Sequence, residues 1–135
     1  MRWICLLVVL MACKGGEEDV RPNYYEDVAP ILHYNCSDCH KDGGLNPVLQ
    51  FSTYEDASSF ADWVSGEVQE ETMPPFYAQE SDTCSNPWGF KHDPRLSAED
   101  KQIISDWAAL GAPEGNPELA VSLVDPPSFN LENAE

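Results

Sequence analysis

The string Cys36-Ser37-Asp38-Cys39-His40 constrains this chain of 135 residues more than any other part of it. Two thiols three positions apart can each add to one vinyl group of a haem. The adjacent histidine then lies beneath the iron, so one turn of chain supplies both attachment and an axial ligand. Random placement of five Cys and three His would produce roughly 0.004 copies of the pattern in a chain this long. The expected cofactor is one covalently attached haem c, held by Cys36 and Cys39 with His40 as an iron ligand. A zinc site normally needs four ligands in two pairs, and no second pair exists; His33, Cys84 and His92 are not at ligand spacing from one another. A thioredoxin-like pair would follow a strand and open a helix, whereas here a helical stretch precedes it and Gly43 and Gly44 follow.

Fast electron transfer favours a six-coordinate iron, which changes little in geometry between oxidation states. The methionines are Met1, Met11 and Met73, and Met73 alone lies outside the apolar leader. It stands before Pro74 and Pro75, two rings that stiffen the chain beyond it, and is the expected second iron ligand. A lone Met is commonly core filler, but one between glutamates and prolines is poorly suited to a core. His33, seven residues before the motif's histidine, is the competing ligand and otherwise a surface helix position. Trp63, Trp88, Trp107, Phe76 and Tyr77 are candidates for a haem pocket or, by default, for the core. Lys91 and Arg95 could pair with haem propionates or form ordinary surface pairs.

The first residues carry Arg2 and an apolar run from Ile4 to Ala12, short for a membrane span and suited to a signal peptide. The run ends Leu10-Met11-Ala12-Cys13, which resembles a bacterial lipobox with Cys13 as the lipidated residue; an ordinary secretion signal is the alternative. The expected organisation is a signal peptide over 1–12, a flexible acidic tether over 13–22, a single domain over 23–117 and a C-terminal tail over 118–135. Either leader reading puts the protein at the periplasmic side of a bacterial envelope. The net charge of -17 makes nucleic acid and bare anionic lipid poor partners. It suits redox proteins with a basic docking patch, although acidity also serves solubility. Cys84 is left as a buried or loop thiol.

Three helices are expected. The first spans about Val28 to Tyr34, with Pro30 in its first turn. The second starts at Ser52 or Thr53 with acids three residues on, and continues through Ala57, Phe60, Val64 and Val68 as one apolar stripe. The third is capped by Ser97, carries Ile103, Ile104, Trp107 and Ala108 on one face, and stops at Gly111 and Pro113. Cys39 to Gln50 and Thr72 to Arg95 read as loops, the latter too long for an idle connection. The fold class is all-α: short helices and long loops wrapped round one haem, which adds apolar bulk to a thin helical core.

Val28-Ala29-Pro30-Ile31-Leu32 before the motif, then Met73-Pro74-Pro75, then Leu96-Ser97 and the Trp107 helix ending Gly111-Ala112-Pro113-Glu114-Gly115, resemble class I-like bacterial cytochromes c. More narrowly they are similar to the N-terminal cytochrome module of copper type II, ascorbate-dependent monooxygenases. The resemblance covers about Asn23 to Pro117. It implies haem c, His40 as proximal and Met73 as distal ligand, and electron transfer rather than catalysis as the activity. No copper domain follows, so oxygenase chemistry does not carry over. A haem-based ligand-binding or sensor module, or the haem subunit of a separate oxygenase, is the alternative from another class.

Overall fold

The computed structural model describes residues 21–76, 78, 81, 83, 86–90 and 93–126. The expected leader, Cys13, most of the tether, Tyr77, Cys84, Lys91, His92 and the chain from 127 onward lie outside the described residues. The architecture is all-α: among the described residues there is no β-strand, and no helix is long and apolar enough to cross a membrane.

The first helix begins earlier than its apolar pattern indicates. A wide π-type turn, Tyr24–Val28, runs directly into α1, Ala29–Asn35. Asn23 starts it: its side chain accepts from Glu26 N–H at 3.0 Å, while its own N–H donates to Asp27 at 2.8 Å. Orphan N–H groups at a helix start need such acceptors.

The single second helix expected from the stripe is instead two, α2 (Tyr54–Ser58) and α3 (Ala61–Gln69). Thr53 caps α2, its hydroxyl accepting from Asp56 N–H at 3.2 Å. The hydroxyls of Ser58 and Ser59 both donate to Glu55 O, at 3.4 and 2.7 Å, sharing it with the Ser59 N–H at 3.3 Å. Phe60 then leaves helical geometry (φ -121°, ψ 15°). The break turns Phe60 out of the stripe to a half-exposed position, while Ala57, Ala61, Val64 and Val68 stay buried.

The last helix, α4 (Ala98–Ala109), follows its signals closely: Ser97 Oγ accepts from Asp100 N–H at 3.0 Å, and Gly111 ends it at φ +81°. The chief helix packing is α3 against α4, with α4 also on the Tyr24–Val28 turn. Trp107, Leu32, Ile104, Val28 and Val68 fill the centre. The segment after α4 closes onto the beginning of the domain. Pro113 O accepts from Tyr24 N–H and from the Trp107 indole, both at 3.0 Å, and Tyr54 donates to Ala112 O at 2.9 Å. The helices thus form a core of their own beside the motif.

The expected tail is ordered over its described part. Pro117–Leu119 make a 3₁₀ turn. Val121 N–H reaches Tyr25 O at 3.4 Å and Asp125 meets His33 Nε2 at 2.9 Å, so the chain lies as a strap along the first helical segment.

Candidate haem site

The motif forms one turn at the end of α1. Cys36 N–H donates to Leu32 O (2.9 Å), and Cys39 and His40 N–H groups both donate to Cys36 O (3.1 and 3.0 Å). The chain then doubles back: Asn46 N–H donates to Cys39 O at 2.9 Å and Phe51 N–H to His40 O at 3.4 Å. Gly44 permits this, because a Cβ there would stand 2.5 Å from Cys39 O.

His40 is 9% exposed and its Nδ1 lies 2.9 Å from Leu49 O. A carbonyl only accepts, so Nδ1 carries the proton and Nε2 keeps the lone pair that ligates a metal. The Phe51 ring, 4.9 Å away between centroids, holds the imidazole plane.

Cys36 and Cys39 are both free thiols. Burial, and then the neighbouring Cys39, push the Cys36 thiol up to about 12. Redox-active Cys-x-x-Cys pairs work through a lowered pKa, the opposite of the direction at Cys36.

Cys36, Cys39, His40 and Met73 line one cavity of about 480 Å³, together with Tyr34, Leu45, Pro74, Pro75, Pro94 and Pro126. Its wall is mostly apolar and its size falls within the range of cofactor sites. Two carboxylates in the wall, Asp38 and Asp93, are matched by Lys41 at 2.7 Å and by the Arg95 fork. That fork holds the Asp93 carboxyl below the usual carboxylate range. Donor set and wall therefore fit a covalently bound haem: two thiols, an imidazole with a free Nε2, a thioether and apolar faces. Among the described residues no three His, Cys, Asp or Glu side chains gather as a metal-holding group.

Met73 sits just after α3, with its N–H donating to Glu67 O at 3.3 Å, and is 36% exposed at the cavity. His33 does not share this cavity; it lines a separate one, with Asp125 on its Nε2. Of the aromatic candidates, Trp107 is in the core, Trp63 and Trp88 are exposed, and Phe76 packs with Phe90 and Arg95. Arg95 is engaged by Asp93. Tyr34 and Leu45, which belong to no motif, also line the cavity; their closeness in sequence to Cys36 and His40 is the one signal for them. No protein-family model, curated protein or solved structure matches the chain.

Proposed function

We propose that this chain is a monohaem c-type cytochrome carrying single electrons between redox partners at the cell envelope, with the small cytochrome c fold closed round its haem. The observation that carries this reading is that Met73, 33 residues beyond His40 in sequence, lines the same apolar cavity as Cys36, Cys39 and His40. A haem bound there supplies a one-electron iron couple whose potential follows ligand type, burial and second-shell hydrogen bonds. Cys36 and Cys39 would anchor it covalently, which prevents its loss in an open compartment. His40 would offer Nε2, with Leu49 O fixing the tautomer and raising its basicity. Met73 would offer a thioether as the second ligand, and the proline-rich wall would keep water from the metal.

The partners are proteins with a basic patch. Lys41, Arg95 and Lys101 each face a carboxylate, and the net charge of -17 favours such partners. A lipid on Cys13 would hold the protein at the periplasmic face of the membrane.

Mass spectrometry of protein from a haem-maturing host tests the reading: the chain should gain about one haem mass, and the same spectrum reports lipid on Cys13. Colourless protein whose two motif thiols remain open to alkylation would sink it. Rapid carbon monoxide binding at neutral pH would point instead to a ligand-binding or sensor module.

A further inference from the structure

The long loop after α3 returns to the cavity at both ends. Met73, Pro74 and Pro75 enter it from one side of the sequence, Asp93 and Pro94 from the other. The first end is anchored before Met73: Thr72 donates to Glu67 O at 3.0 Å, and Lys101 pairs with Glu71. Beyond Pro75 the backbone contributes, among the described residues, one turn, Gly89 N–H to Asn86 O at 3.1 Å, and an isolated bridge at Ser81.

A side-chain cluster joins the two limbs. The Arg95 guanidinium lies over the Phe76 ring at 4.7 Å and reaches the Phe90 ring at 5.7 Å, and these rings meet edge to face at 5.0 Å. Asp93 fixes the guanidinium as a fork, with Nε 2.9 and 3.0 Å from its two oxygens. It also accepts Arg95 N–H at 3.0 Å. Phe76 is three residues beyond Met73, and Asp93 is in the cavity wall, so one guanidinium links both limbs to the site.

We infer that Arg95 is a positioning residue for Met73: packed over Phe76 and Phe90 and locked by Asp93, it closes the loop that presents the thioether to the cavity. The inference rests on Met73 being an iron ligand, as proposed above. Lysine replaces it only in part, because an ammonium keeps the charge over the rings but has neither the planar fork nor the stacking face.

The test uses the full haem-bearing chain with ferric iron and imidazole as an external ligand that competes with Met73. If the loop opens more often, imidazole binds more tightly in proportion to the open population. Arg95→Gln should bind it about tenfold more tightly than the parent, from loss of the cation–π contacts and the fork. Arg95→Lys should restore part of the difference, and Phe90→Leu should shift affinity in the same direction. Covalent haem content and helical circular dichroism should stay unchanged, which separates positioning from general destabilisation.

Parent-like imidazole affinity and reduction potential in both Arg95→Gln and Phe90→Leu, with Met73→Ala still raising affinity, would overturn this inference alone. If Met73→Ala has no effect, or the parent carries no haem, the ligand reading fails and takes this inference with it. Should Arg95→Gln not fold, Phe90→Leu decides, since it keeps the fork and an apolar side chain.

Discussion

His40 and Trp107 each donate a ring N–H to a backbone carbonyl, Leu49 O at 2.9 Å and Pro113 O at 3.0 Å, and both carbonyls lie on loops. Tyr24 binds the same Pro113 carbonyl through its N–H, and its ring packs 5.5 Å from Tyr54 and 6.3 Å from Trp107. Burial, with smaller contributions from Tyr25, Asp56 and Glu55, pushes the Tyr24 phenol from 10.0 up to about 12. Between those values the unfolded chain has lost a proton that the folded chain keeps, so stability falls as pH rises through the window. Tyr24→Phe should flatten that decline in urea unfolding followed from pH 10 to 12. Cys36 must be in its thioether bond or alkylated for the comparison, because its thiol is shifted into the same range. An equally steep decline in Tyr24→Phe would contradict the assignment. At this scale the motif residues are legible in sequence, because cysteine and histidine identities and their spacing are local facts. The Leu49 and Pro113 partners are not, since each depends on where a loop returns.

Helix ends show how far local rules reach. Ser97 and Thr53 cap α4 and α2 as their capping patterns indicate. The first helical segment is capped by Asn23, whereas its apolar pattern begins only at Val28. The split between α2 and α3 falls where Phe60 leaves helical geometry, next to two serine hydroxyls on Glu55 O, and periodicity registers neither. Gly111 and Gly115 both sit at φ +81° after α4, but their surroundings differ. A Cβ at Gly111 meets nothing within 4 Å, whereas one at Gly115 would stand 2.3 Å from Asn23 Oδ1, the atom that caps the first segment. Gly111→Ala should cost about 1–2 kcal/mol from left-handed strain alone. Gly115→Ala should cost about 1 kcal/mol more, because it also displaces a helix cap. Denaturant unfolding of the two variants measures the difference, and equal losses would show that the cap tolerates the intrusion.

Over the whole molecule, the two chain segments flanking the core are tied to each other. Pro113 and Glu114 carbonyls meet the N–H groups of Tyr24 and Tyr25, at 3.0 and 3.4 Å, and the strap beyond them continues along α1 to Pro126 at the cavity. The strap's contact between His33 and Asp125 is exposed, with 91% of the Asp125 side chain open to water. Such pairs contribute little, so Asp125→Asn should change unfolding free energy by less than about 0.5 kcal/mol. A larger loss in a urea melt would mean that the strap is integral to the fold rather than laid upon it. The sequence by itself determined the all-α class, the caps and stop of α4, and the identity of the thiols, the imidazole and the thioether. Each of these follows from residues within a few positions of one another. Only the tertiary structure decided that Met73 shares a cavity with the motif, that His33 does not, and that the segment from Pro117 to Pro126 is a strap. These are meetings between distant parts of the chain, fixed by how apolar faces pack and by which loop carbonyls remain open to a donor.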